Sequence, residues 1–157
     1  AQMGSDGTFP ADGTTVACER RQGDNATWLD LRDDGYAARY GMAHHRRLYL
    51  GEDGDDLRGE DILTPSGTAA EPRPFAVRFH LHPSVQASLV MHGQAVLLRL
   101  ADGSGWQLRA VGGSLALNPS VYFDRDGERR RSEQAVIVGV CANEGATVKW
   151  AIRRVAA

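Results

Sequence analysis

Apolar and polar residues alternate along most of this chain, and this period of two limits the fold more than any other feature. The clearest run covers residues 74–82, where Phe75, Val77, Phe79 and Leu81 share one face and Ala76, Arg78, His80 and His82 share the other. Such alternation is typical of half-buried strands. Similar short runs lie at residues 14–21, 26–32, 44–50, 56–63, 85–90, 95–100, 105–110, 114–118, 120–123, 133–140 and 146–153. No segment carries an apolar stripe at helical spacing over three turns.

Turn signals separate these runs at short intervals. Asp-Gly pairs stand at residues 53–54, 102–103 and 126–127, and this pair tolerates the positive φ of tight hairpins. The pattern predicts an all-β fold, an antiparallel β-sandwich of about 10–12 short strands with little or no helix. Residues 1–13 are polar and glycine-rich, so we expect a loose lead-in there, followed by a single β-sandwich domain over residues 14–157.

Composition removes several classes of function. The chain has 157 residues and a formal net charge of −2, whereas a general nucleic-acid-binding domain is strongly basic. No apolar run approaches the roughly 18 residues of a membrane-spanning helix. Cys18 and Cys141 lack the spacing of a zinc finger or a disulfide framework, and we expect two free, buried thiols.

The first candidate site is the pair His80 and His82. Residues two apart in a strand point to the same side, so both imidazoles could contribute to one divalent metal such as zinc. A metal site needs further ligands, and no other closely spaced histidine pair supplies them. A polar strand face with hydrogen-bonded imidazoles is the simpler interpretation, and we predict no resident cofactor.

The second candidate is the basic run at residues 44–47. Alternation places His44 and Arg46 on one face, and His45 and Arg47 on the other. An outward-facing pair could bind a sugar carboxylate or sulfate. We favour a second interpretation, in which the run forms cross-strand salt bridges with the acidic residues of segment 59–61.

A third candidate lies next to that run in the sequence. Tyr36, Arg39 and Tyr40 stand in a polar loop, and a tyrosine can serve as acid or base in proton abstraction. Loop aromatics more often cover the edge of a core, and that is the interpretation we prefer. A fourth feature, the arginine run at residues 129–131, is predicted to be a solvated hairpin tip.

Four segments together resemble a known family. Residues 34–50 (DGYAARYGMAHHRRLYL), 57–61 (LRGED), 75–83 (FAVRFHLHP) and 105–109 (GWQLR) are similar to the C-terminal region of bacterial heparinase II/III-like proteins, in the same order and spacing from about residue 14 to 154. The resemblance implies a β-sandwich that is the C-terminal part of a larger multidomain polysaccharide lyase and follows an α/α-toroid domain.

The same resemblance implies an activity for the parent protein. Members cleave uronic-acid-containing polysaccharides by β-elimination, in which a base removes the proton next to the carboxylate and an acid protonates the departing oxygen. The family's upstream histidine motif is missing from this sequence, so no catalytic residue is carried over and the chain alone is expected to be inactive. The expected partners are the upstream toroid and an acidic polysaccharide, with no nucleic acid and no membrane span. Candidates for facing the substrate or the toroid are His44, His45, Arg46, Arg47, Arg78, His80 and His82.

Two alternatives stay open. The chain could be a non-catalytic module that binds glycans or serves as a scaffold between domains. It could also be a small cupin-like metal-binding protein that uses His80 and His82.

Overall fold

The computed structural model describes residues 16–66 and 72–155, and within them the chain is built almost entirely of antiparallel strands. The strands are β1 (Val16–Gly23), β2 (Ala26–Asp33), β3 (Met42–Gly51), β4 (Asp56–Pro65), β5 (Arg73–His80), β6 (Gln86–Val90), β7 (Ala95–Arg99), β8 (Gly105–Val111), β9 (Ser114–Phe123), β10 (Arg129–Cys141) and β11 (Ala146–Val155). One short helix, α1 (Ala37–Tyr40), and a 3-10 turn at Met91–Gly93 complete the described elements. The predicted all-β sandwich is confirmed.

The strands form two sheets of very different width. The large sheet has eight strands in the order β1-β2-β3-β4-β11-β8-β7-β6, and the small sheet has three in the order β5-β10-β9. All pairings are antiparallel. Because three strands cannot cover eight, part of the inner face of the large sheet extends beyond strand β5.

The core lies where the two sheets overlap. Val96, Leu108, Val148 and Trp150 enter it from the large sheet, and Ile137 enters it from the centre of the small sheet. Burial along β5 follows the alternation in the sequence: its odd-numbered residues are half-buried and its even-numbered residues are exposed. Sheet packing therefore uses the apolar face that the sequence pattern predicts.

The predicted turns are present. Gly54, Gly103 and Gly127 have φ values of 75°, 85° and 79°, each after an aspartate. Positive φ is costly for a side chain with a Cβ atom, which explains the choice of Asp-Gly at these hairpins.

Proline explains one error of the sequence analysis. Residues 114–118 and 120–123 were expected to be two strands, but β9 runs through Pro119 without a break. The Leu81 amide donates to the Glu133 carbonyl at 2.9 Å. The backbone groups of Glu133 therefore point toward β5 and away from β9. Pro119 lies opposite Glu133 on β9, so in an antiparallel ladder its own backbone groups point away from β10, to the free edge of the sheet. A missing N–H costs nothing there.

Other expectations are also corrected. The arginine run at 129–131 begins strand β10 instead of forming a turn, although its side chains are exposed as expected. The loop after β2 contains α1. Both cysteines are free, but only Cys141 is buried; Cys18 is exposed on edge strand β1. The predicted lead-in at residues 1–13 lies outside the described residues.

Candidate functional site

A buried carboxylate organises the inner face of strands β3, β4 and β11. Asp61 is only 2% exposed. Its Oδ1 atom lies 2.7 Å from His44 Nε2 and accepts a hydrogen bond from Arg46 Nε at 2.6 Å. The indole N–H of Trp150 donates to its Oδ2 atom at 2.8 Å. Three side chains therefore satisfy the hydrogen-bonding capacity of both Asp61 carboxylate oxygens.

Burial alone would raise the pKa of Asp61. The hydrogen bonds from His44, Arg46 and Trp150 outweigh this effect and lower the pKa from 3.8 to about 2. The carboxylate is therefore charged at neutral pH and holds the two basic side chains against β4. Such a group stabilises the sheet, and it leaves His44 and Arg46 little freedom to act on a substrate.

The alternate residues of β3 face the opposite side of the large sheet. His45 Nε2 lies 2.8 Å from Asp30 Oδ1 on β2, and Arg47 donates to Glu60 on β4 at 3.2 Å. Lys149 on β11 reaches the same Glu60 at 3.4 Å. The predicted split of the basic run between two faces is confirmed, as are its salt bridges with residues 60 and 61.

The remaining candidates lie on the outer side of the small sheet. Arg78 donates to Gln134 Oε1 at 3.3 Å, and His80 Nδ1 is 2.8 Å from Ser120 Oγ. His82 follows the end of β5, and its Nδ1 atom is 2.7 Å from Ser84 Oγ. The seven candidate residues therefore lie on three different surfaces.

The two histidines do not fit a zinc site on their own. Each uses Nδ1 for a serine hydroxyl. Within residues 16–66 and 72–155, no group of three or more His, Cys, Asp or Glu side chains could hold a metal ion. A structural zinc needs four ligands and a catalytic one needs three.

The outer face of the large sheet is cationic, although the whole chain carries a net charge of −2. The strand register places eight exposed basic residues on this face: Arg21, Arg32, Arg47, Arg58, Arg99, Arg109, Lys149 and Arg153. Its acidic residues are Glu19, Asp30, Asp56 and Glu60, and all but Glu19 are partly buried between the strands. Most of the solvent-exposed charged groups on this face are therefore basic.

A shallow groove crosses the middle of this cationic face. Its volume is about 440 Å³, and its walls include Trp28, Tyr49, Arg58 and Arg109. The Trp28 and Tyr49 rings meet edge to face at 5.7 Å, and the Arg58 guanidinium lies 5.0 Å from the Tyr49 ring centre. Sequence reasoning missed this groove, because its residues come from strands far apart in the chain. The alternation of Trp28, Asp30 and Arg32 on β2 was the available signal.

A deeper cleft opens on the other side of the large sheet, between β3–β4 and strand β5. Its volume is about 670 Å³, and its lining includes Tyr36, Tyr40, His44, Arg46 and Arg73. The sequence analysis singled out the two tyrosines, which are 40% and 46% exposed. It missed Arg73, which only the packing of the two sheets directs into the cleft.

Helices play little part in the described structure. None of them has the length and apolar character that crossing a membrane requires.

The sequence matches one protein family along nearly its whole length. The profile of the family described as Heparinase II/III-like, C-terminal, covers residues 3–151. A curated relative, FtsZ-localized protein C of Caulobacter vibrioides (strain NA1000 / CB15N), is 39% identical over 94% of this chain and 27% of its own length.

Solved structures agree on the fold. The heparan sulfate lyase HepC from Pedobacter heparinus superposes with a TM-score of 0.75 at 12% identity, over 90% of this chain and 22% of the lyase. A heparinase III gives a TM-score of 0.69 at 13% identity, over 89% of this chain and 21% of the enzyme. The chain thus spans only about a quarter of the length of these proteins. By sequence match and by fold, the chain belongs to the heparinase II/III-like C-terminal family.

Proposed function

We propose that this chain is the C-terminal β-sandwich of a larger heparinase II/III-like protein and holds an acidic polysaccharide on the outer face of its large sheet. The observation that carries this proposal is the groove around Trp28 and Tyr49, with exposed cations on both sides. Sugar rings pack against aromatic side chains, and uronate or sulfate groups pair with guanidinium groups. The groove offers both kinds of contact within one strip of sheet.

The charge distribution supports a polyanion as ligand. Arg58, Arg109 and Lys149 come from three adjacent strands, β4, β8 and β11, in which β11 is central. Arg58 is paired with Asp56 and Lys149 with Glu60, whereas Arg109 has no carboxylate partner among the described residues. A chain of uronates crossing the strands meets one uncompensated cation and two shared ones. Each contact is weak in water, and several contacts along one polymer add up.

Lyase chemistry in the parent protein is the second part of the proposal. β-elimination needs a base for the proton next to the uronate carboxylate and an acid for the departing oxygen. In this chain His44 and His45 are held by Asp61 and Asp30. We place the reacting groups in the upstream domain, as the family resemblance implies, and assign to the sandwich the binding and positioning of the polymer.

Heparin binding tests the first part. We expect saturable binding by the chain that weakens as salt rises, because ionic contacts are screened. Arg109→Gln with Lys149→Gln removes two cations beside the groove, while Glu60 keeps Arg47 as its partner. This double variant should weaken binding several-fold. Arg130→Gln with Arg131→Gln, on the small sheet, is the matched control with the same charge change. Equal losses in both variants would show that only net charge matters.

Turnover tests the second part. Polysaccharide lyases produce an unsaturated uronate whose ultraviolet absorbance can be followed continuously. The chain alone should give no absorbance increase on heparin or alginate, whereas the parent protein should. Turnover by the chain alone would contradict the assignment of the reacting groups to the upstream domain.

The curated relative favours a second candidate function. It is far more similar in sequence than the lyases of known structure, and its name places it with FtsZ. On this alternative the sandwich helps its parent protein to localise with FtsZ. Co-sedimentation of the chain with FtsZ polymers distinguishes the two: recovery in the polymer pellet supports the alternative, and recovery only in the supernatant rules it out for this segment.

A further inference from the structure

The cleft between the sheets exists because the large sheet is wider than the small one. Strand β5 is an edge of the small sheet, and strands β3 and β4 continue beneath and beyond it. The space between them has a volume of about 670 Å³, within the usual range for small-molecule sites. It lies on the opposite side of the large sheet from the aromatic groove, so it is a separate site.

The inner walls of this cleft are apolar. Met42 and Leu63 contribute from the large sheet, Phe75 from β5, and Val148 from β11. Met42 and Val148 are only 6% and 1% exposed, so they form the most buried part of the cleft lining. A ligand that reaches these side chains must carry an apolar body, since burying a polar one without partners is costly.

The lining of the cleft includes a cation, Arg73, that has no carboxylate partner in the described part of the chain, although it interacts electrostatically with the Cys141 thiol. Arg73 makes no hydrogen bond or ion pair there, whereas Arg46 is bound to Asp61 and Arg78 to Gln134. Its guanidinium lies near the turn at Gly41, where an added Cβ would be 3.4 Å from Nη1. A half-buried guanidinium without a carboxylate is unusual, because its fork of donors suits a bidentate anion.

Two phenols line the same cleft as this cation. The Tyr36 and Tyr40 rings have centroids 6.2 Å apart. Neither hydroxyl has a hydrogen-bond partner within the described residues. Each can donate to an anion beside Arg73, and neither brings a charge of its own.

Among the described residues, neither acid that lines the cleft, Asp33 or Asp61, forms an ion pair with Arg73. Asp61 is saturated by its three donors. Asp33 accepts from the Gly35 amide at 2.8 Å. Within residues 16–66 and 72–155, the Arg73 guanidinium thus has no ion pair, which matches a ligand with one negative charge.

We infer that this cleft binds a small acid with an apolar body, whose single carboxylate is held by Arg73 between the hydroxyls of Tyr36 and Tyr40. The apolar body lies against Met42 and Phe75. This inference does not depend on polysaccharide binding at the groove, because the two sites share no wall.

Titration of the chain with octanoate tests the inference, with chemical shifts of backbone amides as the readout. Octanoate should shift amides of β3, β5 and α1 in a saturable way. Octanamide, which has the same body without the charge, should bind at least tenfold more weakly. Glucuronate, which has the charge without an apolar body, should also bind at least tenfold more weakly. Equal binding of octanamide or tighter binding of glucuronate would overturn the inference.

Variants locate the site. Arg73→Gln should weaken octanoate binding about tenfold or more, because charge-assisted hydrogen bonds are lost. Arg73→Lys keeps the charge but loses the forked pair of donors, so its octanoate affinity should lie between those of the wild type and Arg73→Gln. Tyr36→Phe removes only a hydroxyl and should cause a smaller loss. Arg130→Gln, at the exposed start of β10 and outside both the cleft and the groove, is the matched control and should change binding less than twofold. Unchanged octanoate affinity in both Arg73 variants, with shifts still centred on the cleft, would refute the role of Arg73.

Discussion

Replacing Asp61 by asparagine removes one charge from the interior and changes almost nothing else in size. The carboxylate accepts from Arg46 and Trp150 through its two oxygens. Asparagine has one acceptor oxygen, so its amide N–H₂ must face one of these donors. Breaking a buried charged pair by removing one partner costs about 3–5 kcal/mol. The Arg46 side chain is 34% exposed and can turn toward water, so we expect a loss of about 3 kcal/mol.

The pH dependence gives a second, independent measure of the same residue. The pKa of Asp61 is about 2 in the fold, against an ordinary value of 3.8. A lowered pKa stabilises the fold above the unfolded value and loses that effect as pH falls through the folded value. The charged Asp61 therefore contributes about 2 kcal/mol at neutral pH. This contribution should fade between about pH 4 and pH 2.

Urea unfolding followed by tryptophan fluorescence and circular dichroism measures both effects. At pH 7 the Asp61→Asn variant should have a much lower midpoint than the wild type, and the gap should narrow toward pH 2. Glu60→Gln is the control from the neighbouring position on the other face, where the partners Arg47 and Lys149 are more than half exposed; it should cost less than about 1 kcal/mol. A loss below 1 kcal/mol for Asp61→Asn, or a gap that stays constant with pH, would refute the reasoning.

Three further predictions concern the core and the thiols. Gly59→Ala should lower stability by about 3 kcal/mol in urea unfolding, because the new Cβ would overlap the Trp150 indole at Cζ2; an unchanged stability would mean that the indole can move away. Leu108→Ala should cost about 3 kcal/mol in the same assay, since Leu108 is 0% exposed at the centre of the core, and a loss under 1 kcal/mol would place it outside the core. A thiol reagent should label Cys18 in the folded chain and Cys141 only after unfolding, because burial shields Cys141 and raises the pKa of its thiol; rapid labelling of both would contradict the burial.

The period of two was enough to predict the strands because it is a local property. Each strand of the large sheet places alternate side chains on opposite faces whatever its neighbours are, and so His44 and His45 could be assigned to different faces from the sequence. The Asp-Gly turns are local in the same sense. Where a local signal misled us, at Pro119, the answer depended on which edge of the strand was free.

The sites could not be predicted in this way. Trp28, Arg58 and Arg109 form one groove only because β11 inserts between β4 and β8, and nothing near these residues in the chain specifies that order. The buried state of Asp61 likewise depends on Trp150, which is 89 residues away. In the sequence, Asp61 is one acid among several.

Alternating side chains by themselves determined that this protein is made of strands, which residues share a face, and where the hairpins turn, because those choices are settled between neighbours along the backbone. Tertiary structure decided which faces meet. It placed Arg73 in a cleft without an ion pair among the described residues, gathered cations on one side of a sheet, and buried the carboxylate of Asp61, because each of these outcomes depends on how many strands each sheet contains and how the two sheets overlap.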